Sequence, residues 1–173
     1  MLEGNKYVNL KRLLTAYGEL FVKQYQDRLK ADGTYASGKA SKSLDSEVTI
    51  SDLESELSVL GEKYITAISD GRGPNQQMPP STAILHWMRE KNVKLRDSKG
   101  RFTTVTDYKM RSASFAIARA LGRNGSIKRF NYTGTGLIDI VYNNIKDVFG
   151  QEVLEAFGED LEYTLERYLK EVK

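Results

Sequence analysis

Apolar residues recur every three or four positions near the start of the chain, from Tyr7 to Lys30. This spacing is typical of a long amphipathic helix, in which Gly18 is the weak point. The apolar stripe consists of Leu10, Leu13, Leu14, Tyr17, Phe21, Tyr25 and Leu29. Asp32-Gly33 ends the pattern, and the Ser, Gly and Lys content of Thr34 to Lys42 predicts a mobile loop.

A two-residue alternation of apolar and polar side chains follows, from Leu44 to Val59, with an interruption at Asp52. This period predicts two half-buried strands that pair as an antiparallel hairpin. We expect its apolar face to lie on the helices and its other face to meet water or a partner. The outward face carries the carboxylates of Asp45, Glu47, Glu54 and Glu56.

The stretch from Gly61 to Asn92 carries the strongest sequence signals for helices and turns in the chain. Asp70-Gly71-Arg72-Gly73-Pro74 combines glycines with a proline, so a helix that ends near Ser69 must turn sharply there. Met78-Pro79-Pro80 stays extended, and Pro80 suits the first turn of a second helix. We expect that helix to dock by an inward stripe, which comprises Ile84, Leu85, Trp87 and Met88.

The rest of the chain is mostly helical in pattern. Val93 to Val105 predicts a shorter hairpin or a loop around Asp97-Ser98-Lys99-Gly100. Asp107 to Leu121 predicts a helix whose small residues allow a neighbouring helix to approach closely, and Gly122 to Gly125 should stop it. Two further helices follow Gly136 and form a C-terminal helical portion, residues 137–173. Their predicted ranges are Leu137 to Phe149 and Gln151 to Val172.

Composition places these elements in one domain, residues 1–173, of the α+β class. A small antiparallel hairpin sheet should pack against the long N-terminal helix and further helices, because 173 residues with 40% hydrophobic content supply one core. No apolar run is long enough to span a bilayer and no signal-peptide core follows Met1, so we expect a soluble protein made in the cytosol. The absence of cysteine removes disulfides and thiol chemistry.

Catalytic, metal and cofactor sites are not predicted. His86 is the only histidine, and no cysteine can join it in a metal site. Asp45/Glu47 and Glu54/Glu56 have a spacing that could hold a divalent ion, but a solvated hairpin face accounts for them better. Gly71-Arg72-Gly73-Pro74 lacks the Lys-Ser/Thr ending of a phosphate-binding loop and follows no buried strand, so it is a turn.

One segment combines basic and aromatic side chains, a composition that binds the phosphate backbone of nucleic acids. A subunit interface or a solvated loop accounts for it better, because the net charge of +3 is too balanced for a chain that is basic throughout. The residues are Arg119, Arg123, Lys128, Arg129, Phe130 and Tyr132.

A tyrosine, a short apolar run, Asp-Gly-Arg-x-Pro, a Pro-Pro pair and Ile-x-x-Trp follow one another in this order. The residues are Tyr64, Ile65, Asp70, Gly71, Arg72, Gly73, Pro74, Pro79, Pro80, Ile84 and Trp87. This arrangement resembles the HK97 gp10-like family of tailed-phage neck and tail-completion proteins. Looser similarity extends to Ser37-Gly38-Lys39 and Ser43-Leu44 before these residues, and to Phe115 to Arg119 and Gly122 to Gly125 after them. The chain departs from the family at Gln76-Gln77 and at the insertion-like Arg96 to Arg101.

The resemblance implies a virion structural protein of the neck or tail top, a tail-completion or head-tail joining component, and not an enzyme. Its implied partners are copies of itself in a ring and head-closure, tail-terminator or tail-tube proteins, with no membrane. It implies a location in the virion, and in the host cytoplasm during assembly. The alternative is a nucleic-acid-binding phage protein that uses residues 119–132.

A ring of identical subunits requires two different, complementary patches on each subunit. The acidic hairpin face and the basic segment from Arg119 to Arg129 are the candidates for these patches. We also expect the Asp70 to Pro80 loop to be a rigid turn, in which Arg72 contacts a carboxylate or a backbone oxygen of its own or the next subunit.

Overall fold

The computed structural model describes residues 6–33, 38–51, 54–126 and 134–172. These residues form helices and one two-stranded antiparallel sheet, which confirms the predicted α+β class. The elements are α1 (Val8–Ala31), α2 (Lys39–Lys42), β1 (Asp45–Ile50), β2 (Ser55–Leu60), α3 (Tyr64–Asp70), α4 (Ser81–Glu90), α5 (Asp107–Asn124) and α6 (Leu137–Glu171). They divide into a first compact unit, with most of α1, the hairpin and α6, and a second, with α3, α4 and α5.

In the first unit, α1 and α6 run antiparallel. The backbone N–H of Leu10 donates to Asp160 at 2.9 Å, and two turns later the Tyr17 hydroxyl donates to Glu152 at 2.9 Å. Burial raises the pKa of Tyr17, and the hydrogen bond to Glu152 raises it further. The predicted apolar stripe supplies the buried side of α1: Leu10, Leu14, Tyr17, Tyr25 and Leu29.

The hairpin packs against α1, as predicted. Its register pairs Val48 with Leu57 on the inner face, while the carboxylate-bearing face is exposed. Gly18 of α1 is buried at the crossing, and a Cβ added there would lie 2.6 Å from Ser46 Oγ and 2.9 Å from Leu57 Cδ1. The glycine that weakens the helix locally is therefore the residue that lets the hairpin approach it.

In the second unit, the core forms between α4 and α5. Leu85, Met88 and Met110 are buried together, and Ala113 and Ile117 pack against them. The small residues of α5 allow this close packing, as predicted. Thr106 caps the start of α5 by accepting a hydrogen bond from the Lys109 backbone N–H at 3.3 Å.

One predicted helix end is wrong, and another is shifted by three residues. The C-terminal portion is one helix, α6, that continues through Gly150, because its packing against α1 outweighs the helix-weakening effect of a single glycine. The predicted stop of α5 at Gly122 to Gly125 is confirmed, although the helix continues past the predicted end at Leu121 to Asn124 and ends at Gly125, whose φ is 65°. The positive φ that ends the helix is therefore adopted by the later of the two glycines.

Lys39 to Lys42 are not a loop but one helical turn, stabilised by a hydrogen bond from Gln26 Nε2 to the Ser41 carbonyl at 2.8 Å. Thr34 to Ser37 lie outside the described residues. The predicted shorter hairpin is present as a tight turn closed by a single bridge between Arg96 and Phe102. None of the described helices is both long and apolar enough to cross a membrane.

Candidate functional site

The residues that carry the family resemblance lie on α3, on α4 and in the loop between them, residues 71–80. Tyr64 and Asp70 are the first and last residues of α3, and both are exposed. Gly71, Arg72, Gly73, Pro74, Pro79 and Pro80 belong to the loop, and Ile84 and Trp87 lie on α4. The helix end and helix start predicted from the glycines and prolines are confirmed, at Asp70 and Ser81.

The loop between α3 and α4 covers the C-terminal end of α5. The backbone N–H of Asn75 donates to the Arg123 carbonyl at 3.0 Å, and that of Gln76 donates to the Gly122 carbonyl at 2.9 Å. The last carbonyls of a helix have no partner within the helix, so the loop satisfies acceptors that would otherwise need water. The loop thus acts as a long-range cap of α5.

A reciprocal pair of hydrogen bonds fastens the loop just beyond this cap. The Ser126 backbone N–H donates to the Arg72 carbonyl at 2.7 Å, and the Arg72 backbone N–H donates to Ser126 Oγ at 2.7 Å. Glycines make the close approach possible. A Cβ on Gly122 would lie 3.1 Å from Met78 Cα, and one on Gly125 would overlap the Arg72 carbonyl oxygen. Sequence reasoning missed this role, because it interpreted both glycines only as helix stops.

The Arg72 side chain makes a contact within the loop of residues 71–80. Its Nη2 donates to the Gln77 carbonyl, which confirms the predicted contact with a backbone oxygen and places it within the chain. Its Nε is buried and has no hydrogen-bond partner in the part of the chain that the structure describes. The Arg72 guanidinium therefore stabilises the conformation of this loop.

Arg72→Lys should lower the free energy of unfolding by roughly 1–2 kcal/mol, because an ammonium on a flexible stem does not reproduce the planar donor that reaches Gln77. Urea unfolding measures the change. The matched control is Arg101→Lys, since Arg101 is exposed and pairs with Asp97 on the surface at 3.0 Å. The control should change stability by less than about 0.5 kcal/mol. Equal stability of the two variants would contradict a structural role for Arg72.

The prediction that Trp87 faces inward is wrong. Leu85 and Met88 are the buried residues of α4, and Trp87 is 45% exposed. Neighbouring positions on a helix differ by about 100°, so Trp87 falls outside a core centred on Leu85 and Met88. His86 is also exposed on this helix. The motif thus fixes a tryptophan whose ring is partly available to a partner.

Trp87→Ala should therefore cost only about 1–2 kcal/mol of stability, compared with roughly 3–5 kcal/mol for a fully buried aromatic ring. Leu85→Ala is the comparison on the same helix, with an expected loss of about 2–5 kcal/mol. Thermal unfolding followed by circular dichroism measures both. A loss for Trp87→Ala that equals or exceeds that of Leu85→Ala would show that the ring is part of the core.

One side of α5 presents aromatic and basic side chains to solvent. Tyr108 is 81% exposed and Phe115 is 52% exposed. Arg119 and Arg123 are exposed further along the same side, because these positions are separated by seven, four and four residues. We call this surface the α5 stripe: Tyr108, Ser112, Phe115, Arg119 and Arg123. Of the predicted basic-aromatic residues it contains only Arg119 and Arg123, since Lys128, Arg129, Phe130 and Tyr132 lie outside the described residues.

The charge of the α5 stripe is not balanced locally. At the start of α5, Asp107 accepts from Arg111 at 2.7 Å and from Arg89 at 2.5 Å. The Arg111 hydrogen bond, followed by the contacts with Arg89, holds the pKa of Asp107 below its ordinary value. By contrast, Arg119 and Arg123 have no carboxylate partner within the described ranges. The C-terminal half of the stripe is therefore a positive surface.

No chemistry beyond binding emerges from the described residues. They hold no group of three or more His, Asp or Glu side chains placed to bind a metal ion, and the chain has no cysteine. The predicted lack of catalytic, metal and cofactor sites stays a prediction. Comparisons with protein families, curated proteins and solved structures each find no match, so the family resemblance rests on the motif residues alone.

Proposed function

We propose that the chain is a structural component of a tailed-phage neck or tail top, a tail-completion or head-tail joining protein that forms a ring of identical subunits. The observation that carries the proposal is that the second unit presents Trp87, Tyr108 and Phe115 to solvent on well-packed helices. Aromatic residues and arginine are enriched in the centres of protein interfaces. The motif that fixes Trp87 is also the one that resembles the phage family.

The partners of such a component are its own copies and the proteins above and below it in the neck or tail, such as head-closure, tail-terminator or tail-tube proteins. Its location is the virion, after assembly in the host cytoplasm. Rigid loops suit this role, because an ordered interface loses less conformational entropy on assembly. The loop of residues 71–80 is ordered in this way by its bonds to α5.

Deletion of the gene from the phage that encodes it tests the proposal. We expect filled heads and free or incomplete tails in the lysate, and recovery of joined particles when the chain is supplied in trans. Electron microscopy of the particles gives the result directly. Infectious tailed particles at normal yield in the deletion strain would overturn the proposal.

The α5 stripe favours a second candidate, a nucleic-acid-binding phage protein. Exposed aromatic rings stack on bases, and exposed arginines neutralise phosphates. Titration of single- and double-stranded DNA at increasing salt separates the two functions. Binding that weakens steeply with salt, and less steeply after Arg119→Ala and Arg123→Ala, would support DNA contact. Absence of binding at low salt would exclude it.

A further inference from the structure

The C-terminal half of α6 carries a second apolar surface besides the one that packs against α1. Ala156 and Asp160 are buried on the α1 side. On another side Leu154 is 72% exposed and Leu165 62%. Val172, the residue after α6, is 84% exposed and continues the last turn through its backbone hydrogen bond to the Tyr168 carbonyl. At about 100° per residue these side chains share one face. We call this face the α6 stripe: Leu154, Leu161, Leu165, Tyr168 and Val172. An exposed apolar face of this kind is typical of interaction sites.

Carboxylates border the α6 stripe along one edge. Glu155 and Glu162 are exposed there and have no cationic partner among the residues that the structure describes. The nearby bases are already engaged, since Lys170 lies 3.5 Å from Glu166 and Arg167 lies 3.5 Å from Glu171. The α6 stripe is therefore an apolar surface with negatively charged side chains along one edge that have no cationic partner among the described residues.

The α5 stripe is its complement in chemistry and in length. It offers two exposed aromatic rings beside two uncompensated arginines, whereas the α6 stripe offers leucines beside uncompensated glutamates. At about 1.5 Å per residue, Leu154 to Val172 spans about 27 Å and Tyr108 to Arg123 spans about 22 Å. Gly158 interrupts the leucines of α6, and a Cβ there would meet no described atom within 4 Å. The interruption leaves room for a partner ring.

We infer that the α6 stripe of one subunit packs on the α5 stripe of a second copy of this chain. Burial of leucine and aromatic side chains supplies most of the affinity, and the opposite charges set the register and exclude the like-with-like pairings. Because the two patches differ, the contact is heterologous, and repetition of it gives a ring or a filament. Closure into a ring rests on the proposed function.

The hairpin is a weaker partner for the α5 stripe, although its exposed face is also acidic. Its cross-strand pairs Glu47 with Ser58 and Thr49 with Glu56 are polar on both strands, and on this face only the end pair, Asp45 with Leu60, includes an exposed apolar residue. A face of this composition offers little apolar area to bury in the centre of an interface. We therefore assign the acidic half of the subunit contact to α6.

Charge reversal on each stripe tests the contact. One variant carries Arg119→Glu and Arg123→Glu, and a second carries Glu155→Lys and Glu162→Lys. Sedimentation velocity over a concentration series should show that each weakens self-association by roughly 100-fold, because like charges then face each other. A mixture of the two variants should associate again, and so should a chain that carries all four changes. The matched control, Glu47→Lys with Glu56→Lys on the hairpin, should associate like the parent.

The apolar part of the contact has its own test. Leu165→Asn should abolish association and leave the melting temperature of the subunit unchanged, since Leu165 is 62% exposed. The inference is overturned if the parent does not associate, if the reversed variants associate like the parent, or if their mixture fails to recover. It is also overturned if reversal on α5 abolishes DNA binding and leaves association intact. These outcomes are separable from the gene-deletion phenotype, which tests the proposed function independently.

Discussion

Gly125→Ala is expected to destabilise the second unit by at least about 3 kcal/mol, a loss that few single substitutions reach. Two effects add. The φ of Gly125 is 65°, and a side chain in the left-handed region costs roughly 1–2 kcal/mol. The added Cβ would also overlap the Arg72 carbonyl oxygen and the Gly73 carbonyl carbon. Both obstacles are backbone, so no rotamer change relieves the overlap.

Gly100→Ala is the matched control, because Gly100 also has a positive φ, 78°, but a Cβ there would meet no described atom within 4 Å. It should show the conformational cost alone. The single tryptophan, Trp87, lies on α4 in the second unit, so its fluorescence during urea unfolding reports this unit. A loss for Gly125→Ala no larger than that for Gly100→Ala would mean that the loop does not lie against the end of α5.

The contrast between these glycines shows where sequence reasoning stops. Prolines and glycines act on their own φ and ψ, so they correctly located the end of α3 at Asp70 and the start of α4 at Ser81. The capping of α5 by Asn75 and Gln76 joins residues that are far apart in sequence. No local rule can detect such a contact. The sequence therefore predicts Gly122 only as part of a helix stop, whereas in the fold its lack of a side chain lets Met78 approach.

The same limit explains the error at Gly150. A glycine costs about 1 kcal/mol inside a helix, which favours a break when only the sequence is considered. In the fold, the ring centroids of Tyr17 and Phe149 lie 4.7 Å apart, and the Tyr17 hydroxyl donates a hydrogen bond to Glu152. One residue of α1 thus packs on both sides of Gly150 and holds α6 continuous.

Trp87 and the α6 stripe show that the periodicity of apolar residues predicts only approximately which of them are buried. The apolar residues of α4 cover more of the helix surface than one neighbouring helix can bury. Packing against α5 buries Leu85 and Met88 and leaves Trp87 exposed. On α6, Leu154, Leu161 and Leu165 recur at helical spacing, and these residues are exposed. An apolar stripe predicts that a helix face seeks a partner. It does not say whether the partner belongs to the same chain.

Asp160→Ala is expected to lower the stability of the first unit by about 3 kcal/mol. The Asp160 carboxylate is 4% exposed and accepts from the backbone N–H groups of Asn9 at 3.0 Å and Leu10 at 2.9 Å. These donors belong to the first turn of α1, which has no acceptor within its own helix. A negative charge at a helix N-terminus adds favourable interaction with the helix dipole. Alanine removes the charge and leaves two donors unsatisfied.

Asp160→Asn and Glu159→Ala separate the causes. Asparagine keeps one acceptor oxygen without the charge, so Asp160→Asn should be less stable than the parent and more stable than Asp160→Ala. Glu159 is exposed on the same helix, and its removal should change stability by less than about 0.5 kcal/mol. Hydrogen exchange at the Asn9 and Leu10 amides gives the local readout, and unfolding followed by circular dichroism gives the global one. Because α1 also supports the hairpin, faster exchange at these two amides should be accompanied by faster exchange along β1. Unchanged exchange at Asn9 and Leu10 in Asp160→Ala would show that α6 does not cap α1.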